Sequence, residues 1–408
     1  MRVIVTFEER FIRTQNGHIH SRGVADYAFL SRYLSVFDQV IVLARIEDTA
    51  EGLPNMRRAD GPNIRFYALP YYLGPTQFIK KYRELKSRVA EAVDFADAYI
   101  LRVSSAVGTV LWRFLMKKGY PYGIEVVADP WDALSAGSVK TVFRPILRCV
   151  MRRQLYQQCR YAAAASYVTK YSLQKRYPPG GWSTSYSSLE LPSKAIVSKS
   201  KIRDRLSRSE AKDKSNDPYV IGFVGNISTL YKAPDILISA VADCVKQGVN
   251  LKLAIVGDGQ SKWQLKNQAR QLGIENRVIF RGSLPPGEAV FNELDKMDLY
   301  VLPSRQEGLP RSVIEAMARG LPCIGSNVGG FPELLGPDEM VCPNDVKSLS
   351  EKIISVLSNF KQLEKMSWRN LETAKEYIAD KLQARRMEFY KKVKEAAMDF
   401  QCDTDLLY

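Results

Sequence analysis

Two glutamates, Glu307 and Glu315, stand eight positions apart in SRQEGLPRSVIEAMARGLPC (304–323). The first follows a strand-like run, LYVLPS, and the second falls in the first turns of a predicted helix. Between them Gly308, Leu309 and Pro310 turn the chain at a helix start, where backbone amides attract anions. A single carboxylate there is ordinary capping. Two of them, with amides between, suit a ligand that is both anionic and rich in hydroxyls, because a carboxylate accepts hydrogen bonds from alcohols.

Three more strand-end loops carry groups of the same sort. After YVIGFVG comes NISTLYKAPD, which puts Lys232 near a helix start, where an ammonium and free amides together favour phosphate. After LKLAIVG comes DGQ, whose Gly257 and Gly259 let backbone approach a ligand closely. After VIF comes Arg281-Gly282, a wall for a base or a ribose. A nucleotide sugar combines a diphosphate, a ribose diol and a polyol ring, and so uses all of these groups. A ligand with phosphate alone would be repelled by the carboxylates.

These loops need a scaffold that holds strand ends in a row. MRVIVTF, QVIVLARI, NIRFYALP, DAYILRVS and YGIEVVAD are short runs rich in β-branched residues, several of them separated by helical patterns. YVIGFVGN, LKLAIVGDG, RVIFRGS, LYVLPS and PCIGSN restart the rhythm in the second half. Such alternation implies βα units and mostly parallel sheets, with ligands beyond the carboxyl ends of the strands. A chain of 408 residues divides naturally into two domains. We expect an N-terminal domain over 1–197, a polar linker over 198–218 and a C-terminal domain over 219–385. Residues 386–408 are expected as a helix and tail that can cross back to the first domain.

Apolar content of 46% and charged content of 25% are those of a soluble globular protein. No apolar run approaches the roughly 20 residues that span a bilayer. MRVIVTF enters a strand pattern at once, so no signal peptide is expected. The six cysteines are scattered without a CxxC pair, which points to a reducing, cytosolic compartment without disulfides or structural zinc. The net charge of +15 is uneven, with +13 in residues 1–200 and +2 in residues 201–408. Between Ala133 and Leu189 there is no Asp or Glu. There KTVFRPILRCVMRRQLYQQCR sets Val142, Phe143, Ile146, Leu147, Val150, Met151 and Leu155 at helical spacing beside Arg144, Arg148, Arg152 and Arg153. Two readings stay open: a domain helix with a solvated basic face, or contact with anionic lipid head groups or a phosphate-bearing acceptor. No nucleic-acid recognition motif accompanies the charge.

EGLPRSVIEAMARGLPCIGSNVGGFPELL resembles the E-x7-E region and the following Gly-Gly-x-Pro-Glu of the retaining GT-B glycosyltransferases of family 4 (glycosyl transferases group 1, bacterial polysaccharide-assembly type). LAIVGDGQSKWQLKNQARQLGIENRVIFRGSL resembles the preceding βαβ segment of that family, so the likeness runs over residues 221–336. SYVTKYSLQKRYP resembles the end of its first domain. The resemblance implies a GT-B architecture, α/β, with two Rossmann-like domains whose parallel sheets face each other across a cleft. It also implies a retaining, metal-independent hexosyltransferase that uses a nucleotide diphosphate sugar as donor and no cofactor. Carried over by position, Glu315 binds the ribose, Glu307 holds the donor sugar and Lys232 binds the diphosphate. The family's second phosphate-binding residue, an arginine, is Asn226 here, so the diphosphate is expected to rely on Lys232 and the amides of 308–310, with another arginine as a further candidate. In enzymes of this type the donor phosphate helps deprotonate the acceptor, and Lys232 would stabilise charge on the leaving group.

The first half is left with the acceptor side. EERFIRTQNGHIHSRG reads as a long polar loop with Gly17 and the only two histidines, His18 and His20. In the family a glycine of this loop lies near the donor phosphates. The histidines suit acceptor or phosphate binding better than metal, and the alternative is an ordered surface loop. After YGIEVVA comes DPWDAL, where family members often carry a histidine close to the reacting carbon. Asp129 stands there instead, with Trp131 and Asp132, and it either faces the reaction centre or simply caps a helix. Arg102, ending DAYILRVS, is a further cleft candidate. No metal site is expected, since the one Asp-x-Asp, Asp403-Thr404-Asp405, lies in the tail. The partners implied are a nucleotide-sugar donor, a saccharide or polyprenyl-linked acceptor and an anionic membrane surface, with no nucleic acid. The place implied is the inner face of a bacterial plasma membrane, in capsule or exopolysaccharide synthesis. Two alternatives are a sugar-nucleotide isomerase of the 2-epimerase type on the same fold and a non-enzymatic basic binding module.

Overall fold

A computed structural model describes residues 1–49, 56–134, 143–215 and 217–405, without the side chains of 213–215 and 403–405. The chain forms two compact units. The first holds Met1–Tyr186 and Gln383–Tyr408, and the second holds Ser187–Leu382.

In the first unit the strands are β1 (Arg2–Arg13), β2 (Ile19–Ser21), β3 (Gln39–Asp48), β4 (Arg57–Arg58), β5 (Ile64–Leu69), β6 (Ala98–Val103), β7 (Gly123–Val126), β8 (Ala164–Tyr167) and β9 (Trp182–Ser185). They make one sheet in which β5, β3, β1, β6, β7, β8 and β9 run parallel in that spatial order. Valines and isoleucines at 3–5, 40–42 and 100 are buried, as a sheet covered on both faces requires. Residues 8–23 differ from the expected polar loop. β1 runs on to Arg13 through a register shift between Thr6 and Arg10, then turns and pairs antiparallel with β2. Phe11 and Ile12 are buried, and these two anchor the hairpin among its charged neighbours.

The second unit has a six-stranded sheet of β10 (Tyr219–Val224), β11 (Leu251–Val256), β12 (Val278–Gly282), β13 (Leu299–Leu302), β14 (Cys323–Ser326) and β15 (Met340–Val341). All its pairings are parallel, in the order β12-β11-β10-β13-β14-β15. The order reverses between β10 and β13, and in doubly wound sheets ligands bind beyond the strand ends at that switch point.

The stretch 198–218 is not the linker expected from its polar composition. Lys199–Ser215 is a helix whose Ile202 and Leu206 sit in the second unit's core. Arg205 donates to the Gly320 carbonyl, and Ser209 donates to Asp298 at 2.9 Å. Two buried apolar residues are enough to dock a helix that is otherwise charged. The helix from Ala379 to Asp405 leaves the second unit at Leu382 and packs Phe389, Tyr390 and Val393 into the first. Phe389 and Val393 fill the space beside Gly123, where a side chain would collide with both. All six cysteines are unpaired.

Candidate functional site

The loops after β10 and β13 meet at the switch point of the second unit. Gly225 follows β10, and a Cβ there would lie 2.5 Å from the Lys232 side chain. Leu230–Lys232 is a single 3-10 turn, and Ala233 takes a left-handed conformation (φ 54°, ψ 46°) that redirects the chain into the helix Pro234–Lys246. This brings Lys232 Nζ to 2.6 Å from Glu307 Oε1, with both side chains nearly enclosed. Ser304 Oγ donates to the same Glu307 oxygen at 3.2 Å. Two residues 75 positions apart, both picked out from the sequence, are therefore one ion pair.

Arg305, which the sequence reading passed over, laces the two loops together. Its guanidinium grips Asp235 with bonds of 2.6 and 2.9 Å, donates to the Leu230 carbonyl, and reaches Asn344 at 2.7 Å through Nε. Its own N–H donates to the Tyr231 carbonyl at 2.7 Å. Paired charge-assisted bonds of this sort fix direction as well as distance. Nothing in the local sequence reveals this role, because the partners lie 39 to 75 residues away.

The turn after Glu307 is supported from behind. Gly330 N donates to the Gly308 carbonyl at 2.6 Å. Gly329 (φ 52°) lies so close to the Glu307 carbonyl that no side chain fits between them. The Gly-Gly of NVGGFPE is thus a backbone brace under the 307–308 turn. Among the described residues, none accepts from the Gly308 or Leu309 N–H. Pro310 has no N–H to offer, so the expected three-residue anion turn has two donors. The Arg311 and Ser312 amides that open the helix Arg311–Ala318 add to them, having no intrahelical acceptor, whereas those of Val313 and Ile314 donate to the Pro310 carbonyl. Glu315, one turn inside that helix, is only partly exposed. Burial raises its carboxyl above the usual range, while Arg311 and Lys232 pull it the other way.

Other second-unit candidates have structural partners. Gly257 (φ 141°) presses on the Gly225 carbonyl and Gly259 (φ 156°) on the Ser228 N–H. The close approach these glycines permit is to the neighbouring loop. Asn226 is exposed and accepts from Ser228 N at 2.7 Å, closing its own loop. Arg281 is exposed and pairs with Glu293 at 3.2 Å, with no contact to the Lys232–Glu307 pair.

The first-unit candidates do not gather into one cluster. Gly17 (φ 80°) occupies the hairpin turn, its N–H donating to the Thr14 carbonyl at 2.8 Å. His18 Nδ1 lies 3.3 Å from Asp60, and His20 lies within β2 with a buried, unpartnered Nδ1. Asp129 caps the short helix Pro130–Ala133 by accepting from Trp131 N at 2.8 Å. The same oxygen accepts from Tyr177 OH at 2.5 Å, and the other oxygen is held by Arg176. Of the two readings of Asp129, the cap is seen in the geometry, with both oxygens engaged. Its charge and burial raise the nearby Asp132 carboxyl, burial being the larger effect. Arg102 is likewise interior. It donates to Glu125 at 2.9 Å under the rings of Phe7 and Phe29, and Glu125 also accepts from Tyr33 and Tyr186, each at 2.8 Å.

Residues 204–372 match the family described as glycosyl transferases group 1. Protein CapJ of Staphylococcus aureus is 26% identical over 91% of this chain and 90% of its own length. Among solved structures, Anabaena HepE in complex with UDP and glucose superposes with a TM-score of 0.61 at 17% identity, covering 95% of this chain and 98% of that one. Sucrose-phosphate synthase from Thermosynechococcus elongatus gives 0.68 at 15% identity, covering 97% and 100%. The fold is GT-B.

Proposed function

We propose that the chain, whose residues 204–372 match the glycosyl transferases group 1 family, moves a sugar from a nucleotide diphosphate sugar to a saccharide or lipid-linked acceptor, with retention of configuration. The Lys232–Glu307 pair at the switch point, beside the open amides of Gly308 and Leu309, carries this reading. With no ligand bound, the lysine has only a carboxylate to neutralise. A diphosphate entering the turn offers it a more highly charged partner and frees Glu307 for the hydroxyls of the sugar. Glu315 then accepts from the ribose diol. The bond between the anomeric carbon and the diphosphate oxygen breaks, and the acceptor oxygen bonds to the same face of that carbon. The acceptor proton passes to the departing phosphate, while Lys232 and the amides stabilise the developing charge. On this reading those groups take the place of a divalent cation.

Recognition of the acceptor falls to the first unit. The full-length likeness to CapJ supports a role in capsule or related polysaccharide assembly. The test is to incubate purified protein with UDP- and GDP-sugars and oligosaccharide acceptors, and to assign the product's anomeric configuration by NMR. Retention is expected. An inverted product overturns the mechanism, and donor turnover to a new nucleotide sugar without acceptor marks an isomerase.

A further inference from the structure

The helix Arg144–Arg160 of the first unit is packed in the reverse of the usual sense. An ordinary surface helix turns its apolar stripe inward and its charges to water. The helix Pro234–Lys246 does so, with Leu237, Ile238, Val241 and Cys244 fully buried. Here Phe143 is 65% exposed, Ile146 63% and Val150 54%, with Leu147 and Met151 also open. The expected Val142 lies outside the described residues. At 100° per residue these side chains share one face. Of the arginines, Arg148 is half-buried and turned toward the domain, whereas Arg152 and Arg153 are exposed and flank the apolar face. Arg148 lies 3.7 Å over the Trp131 ring and donates to the Trp131 carbonyl at 2.6 Å, and Arg152 lies 5.1 Å from the same ring. Leu155, Gln158 and Cys159 bury the C-terminal half. Arg148, with the buried Leu155, Gln158 and Cys159, thus holds the helix in place with its greasy face pointing out.

We propose that this face docks on an anionic lipid surface, the helix lying in the plane of the head groups. Charge selects the occupant. Residues 133–189 carry nine Lys and Arg and no Asp or Glu, so a second copy of the same face would meet its own positive charge. Acidic head groups neutralise it while the acyl boundary takes up Ile146, Leu147 and Val150. No helix of the described residues is long and apolar enough to cross a membrane. The inference stands independently of the transferase reading, since it rests on another unit and another chemistry.

The test is co-sedimentation of the full chain with phosphatidylcholine vesicles, with and without phosphatidylglycerol. Binding is expected only with the anionic lipid, and partly released by salt as the charges are screened. Ile146→Glu/Val150→Glu, both on exposed positions, should weaken it by about tenfold or more. Arg153→Glu, on an exposed arginine, should weaken it severalfold. Circular dichroism melts matching the wild type show that each variant folds, and unchanged donor hydrolysis separates this result from the catalytic reading. Equal sedimentation of the double variant and the wild type overturns the proposal, as does failure of the wild type to bind. A dimer in the ultracentrifuge that the double variant abolishes, without lipid binding, gives the face to a second copy and also overturns it.

Discussion

Glu307 and Asp129 are both carboxylates just past a parallel strand, each close to a cation, yet they stand at opposite ends of availability. Asp129 is closed off: a backbone N–H, a phenol and a guanidinium take up its two oxygens. Glu307 has one oxygen shared between Lys232 and Ser304, beside amides that find no acceptor among the described residues. The fully engaged group holds a structure together; the partly engaged one can exchange its partner for a ligand. The same contrast separates Arg102, locked into the Glu125 network, from Lys232. Residue type and strand-end position qualify all four, and only the number of partners tells them apart.

The largest effect that sharpens this contrast is on catalysis. Lys232→Ala should lower sugar transfer by about a hundredfold or more, the usual cost of removing one preorganised charge-stabilising group; its main effect is on rate, although opening the enclosed pair also costs some stability. Near-wild-type transfer would remove Lys232 from the site. Asp129→Asn should do the converse. It breaks a nearly buried pair to Arg176 and costs about 2–3 kcal/mol, so the first unit should melt roughly 5–10 °C lower. UDP affinity, read by calorimetry, should stay the same. Stable Asp129→Asn protein with transfer lost would reverse the comparison.

The smallest effect concerns Glu315. Its carboxyl is raised in the folded state, mainly by burial. Its contribution to stability is therefore fully present below the unfolded value and lost as pH rises through the folded one. At neutral pH the ionised group is a cost to folding, so Glu315→Gln should melt higher there. The gain should vanish in acid, and nucleotide affinity should fall. A variant less stable than wild type at neutral pH would show that the charge is fully compensated without ligand.

The second sheet was legible because its strands are short, apolar and each followed by a glycine or proline turn, as in FVGN, IVGDG and VLPS. Glu307, Glu315 and Lys232 followed from their places after those strands. The helix Lys199–Ser215 was hidden because its composition is that of a solvated segment and only Ile202 and Leu206 are taken into the core. The β1–β2 hairpin was hidden for a similar reason. Glu9 draws in Ser21 and the Gly23 N–H, and Glu8 holds Arg45 of β3, so charges that suggested a loop have partners within the fold. The helix cap on Asp129 could be read, but the partners of Arg305 and the Arg176 and Tyr177 contacts of Asp129 could not, since they lie 39 or more positions away. The reversed face of Arg144–Arg160 shows the limit of periodicity: spacing finds an apolar stripe and does not say which way it points.

The central claim is that Lys232 gives up Glu307 for a diphosphate. A crystal soaked with UDP measures this directly. The account predicts the diphosphate within hydrogen-bond distance of Lys232 Nζ and of the Gly308 and Leu309 N–H groups, with Glu307 released from the lysine. A diphosphate bound elsewhere, or bound here with the ion pair still closed, would contradict it.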